Sequence, residues 1–296
     1  NSASSAPVIT SATAPGTTPP STSAVIAKNT SRFAASRAAD VATMLSDDAA
    51  NAERVERRIV TVFFSDIAGF TSISEELAPG AIVNLLNNYF SAVTAPIRAS
   101  NGIVDKYMGD GVMAFWSPPF SEGDSHAASA CRAALAQQDA VEQLNKEVPN
   151  ILGLRRGTPV LSVRMGLATG EAIVGTMGSA TSKTFTVMGD TVNLASRLEG
   201  ANKIYGTKII VTAETVALAK NEIAFRELDL ITVAGKTEPV RIYEVLGTKD
   251  ALDQRDADDR LDALEAVLPR HHQPNRRTVL ARQRLAVQPH GQHGEG

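Results

Sequence analysis

The feature that most limits how this chain can fold is the run Ile59-Val60-Thr61-Val62-Phe63-Phe64, β-branched or aromatic at every position and followed at once by Ser65 and Asp66. So short a run with no polar alternation suits a central strand covered on both faces. The surrounding pattern supplies the cover. Helical spacing follows over 74–98, with Leu77, Ile82, Leu85, Leu86, Tyr89 and Val93 as core positions. Two strand-like runs, Gly102–Met108 and Val112–Trp116, are joined by Gly109-Asp110-Gly111, a strong hairpin signal. A second helix is expected over 124–147, stopped by Pro149, and then a strand over 161–168 leading into a glycine-punctuated stretch. A short strand near 183–188 precedes a helix capped by Asp190 and running to about Tyr205. A strand over 208–212, a short helix over 213–220 and a hairpin near 223–246 complete the pattern. Helices and strands interleave, while the glycine hairpins make some neighbours antiparallel. This predicts an α/β (α+β) domain, a ferredoxin-like mixed sheet flanked by helices.

The flanks read differently. Residues 1–30 are rich in Ser, Thr, Ala and Pro, with almost no large apolar side chains, so residues 1–33 are expected to be a disordered linker. Residues 34–56 lose proline and gain Ala, Arg, Asp and Glu, which suits a helical stalk and equally a partly ordered linker. The folded domain is placed at 57–247, and residues 248–296 are expected to be a polar, disordered tail. Four of the five histidines lie in that tail at irregular spacing, which favours disorder over a metal site. A formal net charge of −3 provides no global field to draw in nucleic acid or anionic lipid. The single cysteine, Cys131, excludes an intrachain disulfide and fits a reducing compartment. No apolar run approaches the roughly 18–20 residues that span a bilayer, and no signal-peptide pattern is present. A cytoplasmic location is therefore expected. The first residue is Asn1, not Met, which leaves room for a longer protein, membrane-attached or not, with an upstream sensor.

Two carboxylates carry the first chemical signal. Asp66 ends an apolar strand, and Asp110 sits at the tip of a hairpin of apolar strands. If that hairpin pairs beside the first strand, both reach one edge of the sheet, where they suit two hard divalent cations about 4 Å apart. The plainer alternative is that each merely fills a turn, where Asp is common. After Asp66, Ala68-Gly69-Phe70-Thr71 lets the backbone turn tightly and begin a helix, whose N–H groups can cradle phosphate. Asn193 and Arg197 lie four apart on one helix, an amide and a guanidinium suited to a sugar oxygen and a phosphoryl oxygen, or simply a solvated face. Lys106 lies in an otherwise apolar strand, either exposed or aimed into a pocket. Cys131 is expected in the core and His126 on the surface.

Four strings together resemble the class III adenylyl and guanylyl cyclase catalytic domain: FFSDIAGFTSISE at 63–75, DKYMGDGVMAFW at 105–116, RMGLATGEAIVGTMGS at 164–179 and FTVMGDTVNLASRLE at 185–199. They occur in the family's order and spacing, and the likeness covers about residues 57–247. The resemblance implies a palm-like fold and conversion of ATP to 3′,5′-cyclic AMP and pyrophosphate. It further implies that Asp66 and Asp110 hold two Mg²⁺ or Mn²⁺ ions with the backbone carbonyl of Ile67 assisting. Gly69, Phe70 and Thr71 would contact the terminal phosphates. Asn193 would orient the ribose, and Arg197 would stabilise charge on the α-phosphate. Lys236, in the turn before the last strand, is a looser candidate for the triphosphate. In the family the metal carboxylates come from one subunit and the Lys, Thr, Asn and Arg from its partner. This chain carries both sets, which implies a homodimer with two equivalent sites.

Lys106 and Thr186 fall at the family's base-selecting positions. A lysine donates to adenine N1 and a threonine hydroxyl can accept from the 6-amino group, whereas guanine presents the reverse pattern. Thr186 replaces the commonest adenylyl residue, Asp, and resembles a subgroup with bicarbonate-responsive members, which implies bicarbonate as an effector. Three rivals remain: a guanylyl cyclase, a catalytically inactive regulatory or dimerisation module, and a diguanylate cyclase. The turn Met108-Gly109-Asp110-Gly111 is not the signature of the last, and the Asn193/Arg197 helix has no role there.

Overall fold

The computed structural model describes residues 55–118, 121, 126–179, 181, 183–232 and 238–253. The chain divides into two units, residues 1–246 and 247–296, and the second is described only over 247–253. The elements run β1 (Glu56–Ile67), α1 (Phe70–Glu75), α2 (Pro79–Ala99), β2 (Ile103–Met108), β3 (Gly111–Trp116), α3 (His126–Leu152), β4 (Val163–Gly178) and β5 (Lys183–Met188). They continue with α4 (Asp190–Tyr205), β6 (Ile209–Thr212), α5 (Ala213–Ala219), β7 (Ile223–Ile231), β8 (Val240–Thr248) and α6 (Lys249–Asp253).

Eight strands form one sheet in the order β2-β3-β1-β4-β6-β8-β7, with β5 paired to β4 off that path. β1 lies inside it, antiparallel to β3 on one side and to β4 on the other. β4 and β6 run parallel, which makes the sheet mixed. The period-2 geometry of a strand explains why Val60–Phe64 of β1 is buried on both faces, while Glu56–Ile59 ahead of it is not. Phe63 and Ile67 join the apolar layer under α2 and α3, together with Met165 and Leu167 of β4. Val60, Val62 and Phe64 face the other way and pack with Leu194, Ala195 and Leu198 of α4. β3 is buried along its whole length, as expected of a strand between two others under helices.

Several local expectations are corrected. The helix expected over 74–98 is two helices, α1 and α2. Ala78 takes an extended conformation (ψ 146°) before Pro79, which starts α2 at a position where its missing N–H costs nothing. Pro149 does not stop α3. It lies within the helix, whose last residues run on to Leu152, and its carbonyl still accepts from the Leu154 N–H. Asp190 does not cap α4; Gly189 holds the cap position and Asp190 is the first helical residue. The glycine-rich stretch after residue 168 is not a break, because β4 runs on through Gly170 and Gly175 to Gly178 while pairing with β5.

His126, expected on the surface, is buried at 2% exposure. Hydroxyls offset its burial: Thr61 Oγ1 lies 2.8 Å from His126 Nδ1, and that hydroxyl continues to Thr169 Oγ1 at 2.9 Å and so to Thr215 Oγ1 at 2.8 Å. Cys131 packs in the core as expected. The expectations for residues 1–33, for 34–54 and for 254–296 lie outside the described residues, but Lys249–Asp253 at the start of the expected tail is helical. No helix among the described residues is long and apolar enough to cross a membrane.

Candidate active site

Strand pairing brings the two carboxylates together. Ser65 stands opposite Val112, so the end of β1 meets the start of β3, where the hairpin turn holds Asp110. Gly109 makes that turn with φ +64°, a conformation glycine adopts without strain. A Cβ added at Gly111 would stand 3.1 Å from the Ser65 carbonyl oxygen and 3.5 Å from Asp66 Oδ1, which shows how closely hairpin and strand end approach. The Ile67 N–H donates to Asp110 Oδ2 at 3.1 Å. The chain then turns through Gly69 (φ +73°) into α1, so that Phe70 and Thr71 open a helix whose first N–H groups have no intrahelical acceptor.

Two residues that the sequence reading did not single out complete this cluster. Arg164 stands opposite Asp66 in the β1–β4 ladder and reaches its Oδ2 at 3.4 Å. The same guanidinium donates from Nε to Glu199 Oε1 of α4 at 2.9 Å. Arg164 opens the third family string and Glu199 closes the fourth, but only the strand register reveals that they meet Asp66.

Three carboxylates around one guanidinium leave the cluster short of positive charge. Burial, then the hydrogen bond and charge of Asp110, then Glu199 push the Asp66 carboxyl up to about 7, with Arg164 pulling the other way. Burial also holds Glu199 above the usual carboxylate range, against Arg164. Half-buried oxygen donors that repel one another are a fit for a hard divalent cation. Among the described residues no group of three or more His, Cys, Asp or Glu side chains is placed to hold a metal. A pair of carboxylates is nonetheless the usual protein share for Mg²⁺, which takes its remaining ligands from water and substrate phosphates.

A pH dependence follows. The folded, metal-free chain keeps a proton on Asp66 up to about pH 7, whereas the unfolded chain releases it near 3.8, so this group's stabilisation is lost as pH rises between those values. In EDTA, Asp66→Asn, which mimics the protonated side chain, is expected to match the parent's thermal midpoint near pH 4 and exceed it at pH 8. Millimolar Mn²⁺ is expected to raise the parent's midpoint at pH 8 and leave that of the variant in place.

The remaining candidates lie apart from this cluster. Asn193 and Arg197 share an exposed side of α4. No hydrogen bond or ion pair among the described residues joins either to Asp66 or Asp110. Lys106 is half exposed, with Nζ 3.1 Å from Oδ2 of the buried Asp105. Thr186 is 9% exposed, and its hydroxyl is buried with no hydrogen-bond partner. Their strands β2 and β5 touch, and the Phe115 and Phe185 rings meet beside them with centroids 6.2 Å apart. Lys236 lies outside the described residues.

Comparison with known proteins points to one family. The sequence profile of the adenylate and guanylate cyclase catalytic domain matches residues 52–247. Adenylate cyclase 1 of Rhizobium meliloti (strain 1021) is 38% identical over 201 residues, which is 68% of this chain and 29% of that protein. Adenylate cyclase of Anabaena cylindrica is 37% identical over 191 residues, 64% of this chain and 37% of that protein. The chain thus spans well under half of either relative. Among solved structures, the adenylyl cyclase CyaB from P. aeruginosa superposes with a TM-score of 0.60 at 36% identity, over 66% of this chain and 97% of that one. The guanylyl cyclase Cya2 gives the same TM-score at 31% identity, over 66% of this chain and 95% of that one. With its mixed sheet, its convergent carboxylates and a profile match over most of its length, the chain belongs to the adenylate and guanylate cyclase catalytic domain family.

Proposed function

We propose that residues 57–247 are an adenylate cyclase catalytic domain that converts ATP to 3′,5′-cyclic AMP and pyrophosphate at sites shared between two copies of the chain. The observation that carries this reading is the meeting of Asp66 and Asp110 at one sheet edge while Asn193 and Arg197 stand exposed on α4, free to complete a partner's site. Two Mg²⁺ or Mn²⁺ ions held by Asp66 and Asp110, with the Ile67 carbonyl, would supply Lewis-acid activation of the ribose 3′-hydroxyl and charge for the triphosphate. The backbone at Gly69, Phe70 and Thr71 receives the terminal phosphates, with Lys236 as a further contact. Asn193 from the partner orients the ribose. Arg197 meets charge that grows on the α-phosphate as the 3′-oxygen attacks in line, so it serves the transition state more than the ground state.

Lys106 and Thr186 select the base. The lone buried hydroxyl of Thr186 supports this role, because a buried hydroxyl without a partner is costly unless a ligand satisfies it. With Lys106 donating to N1 and Thr186 accepting from the 6-amino group, adenine fits. A hydroxyl can also donate, and that keeps guanylate cyclase as the second reading. Thr186 also aligns the chain with the bicarbonate-responsive subgroup, so added bicarbonate is expected to raise turnover.

The test is product analysis of the purified chain with ATP or GTP in Mg²⁺ or Mn²⁺. Cyclic AMP from ATP is expected; no cyclic product under any of these conditions would rule the enzyme reading out. Lys106→Glu is expected to lower the ATP-over-GTP preference in kcat/KM by about 10–100-fold, the cost of one mismatched buried polar contact. An unchanged ratio would remove Lys106 from base selection.

A further inference from the structure

Helix α4 has two working sides. The exposed side carries Asn193 and Arg197, and the flank against the sheet carries Glu199, whose side chain is 17% exposed. Glu199 is tied to Arg164 at 2.9 Å, and Arg164 reaches Asp66 at 3.4 Å. The backbone beside this link leaves no slack. A Cβ at Gly166, two residues along β4 from Arg164, would stand 2.2 Å from the Glu199 nitrogen and 2.3 Å from the Ala195 oxygen. One turn further, Asn202 Nδ2 donates to the Met165 carbonyl at 2.8 Å. The helix is therefore fixed to β4 over residues 164–166, and its charged link at that place leads to the carboxylate pair.

On the shared-site reading above, a chain's Asp66 works in one site of the dimer while its Asn193 and Arg197 work in the other. Resting on that reading, we propose that Glu199 is a positioning residue for both sites at once. Through Arg164 it limits how much positive charge falls on Asp66 in one site; through α4 it sets the placement of Asn193 and Arg197 in the other. The two effects separate by sign. Removing the Glu199 charge leaves the Arg164 guanidinium to Asp66 alone, where it competes with a cation. Removing the Arg164 charge relieves that competition. Either change loosens the polar tie that holds α4 to β4.

Heterodimers purified through two different tags test this. Pairing an Asp66→Ala chain with an Arg197→Ala chain leaves one intact site, which takes Asp66 from the second chain and Arg197 from the first. In the Asp66-donating chain, Glu199→Gln is expected to weaken Mn²⁺ binding about fivefold or more, read by electron paramagnetic resonance of free Mn²⁺ without nucleotide. Arg164→Gln in that chain is expected to strengthen it. In the Arg197-donating chain, either substitution is expected to lower kcat about fivefold or more and leave Mn²⁺ binding unchanged. A merely structural lesion would weaken both readouts from either chain, and that pattern overturns the proposal. So does an effect confined to one chain. If Glu199→Gln fails to fold, the Arg164→Gln pair of heterodimers decides alone, by the same split. An inactive parental heterodimer would instead refute the shared-site reading.

Discussion

Asp66→Ala and Arg197→Ala chains are each expected to be inactive alone and to regain activity when mixed. Alanine at 66 removes half of the carboxylate pair from every site of its homodimer. Alanine at 197 removes the charge that meets the transition state, a role worth roughly a thousandfold or more for an arginine in phosphoryl transfer. Both substitutions leave the fold's supports in place, because Asp66 is half buried and Arg197 exposed. If subunits exchange freely, half the dimers in an equal mixture are mixed, and each has one intact site out of two. About a quarter of the parent's activity should therefore return. Co-purification of one chain through a tag carried only by the other would confirm that exchange has occurred. Exchange without rescue would mean that each chain builds its site alone.

Gly166→Ala is the second large effect. Adding a methyl group to a packed interior usually costs about 1–3 kcal/mol, because side chains shift to make room. At Gly166 the obstructing atoms are the backbone of Ala195, Leu198 and Glu199, which have no rotamer to change. The upper end of that range, about 3 kcal/mol, is expected, with a thermal midpoint lower by about 6–12 °C for a domain of this size. Relief would come from α4 moving off the sheet. A displacement of about 1 Å at reacting groups can cost on the order of a hundredfold in rate, so kcat should fall even where the protein remains folded. Gly200 on the same helix provides the control, since a Cβ there meets nothing within 4 Å. Gly200→Ala is expected to stabilise the domain by about 0.5–1 kcal/mol and leave kcat near the parent's.

Much of this was legible in the residues. The buried character of Val60–Phe64 followed from a β-branched or aromatic run with no alternation, although Ile59, which opens that run, is 52% exposed, and the β2–β3 turn followed from Gly109-Asp110-Gly111. Their pairing, on which the convergence of Asp66 and Asp110 depends, was a condition the sequence could state but not meet, because register is a property of two strands and not of either alone. Arg164 and Glu199 were hidden for the same reason. They are 35 residues apart in sequence and meet only once β4 and α4 are placed against β1. The misread boundaries have local causes. Pro79 starts a helix although the apolar period runs on across it, and Pro149 sits close enough to the end of α3 for the last turn to continue. The glycines of β4 resembled a loop, but Gly166 and Gly170 are there because a helix lies against the strand, with the Thr191 hydroxyl 2.8 Å from where a Gly170 Cβ would be. His126 reads as a surface residue in sequence because the hydroxyl that meets its ring, Thr61, lies 65 residues away on β1, and is itself bonded to Thr169 of β4.

Anomalous diffraction from crystals grown with Mn²⁺ and a non-cyclisable ATP analogue would test the shared site most directly. The expected maps show Mn²⁺ bound between the Asp66 and Asp110 carboxylates of one protomer, with the α-phosphate of the analogue under the guanidinium of the partner's Arg197. Manganese bound away from that carboxylate pair, or Arg197 of the same chain reaching the phosphate, would contradict the account.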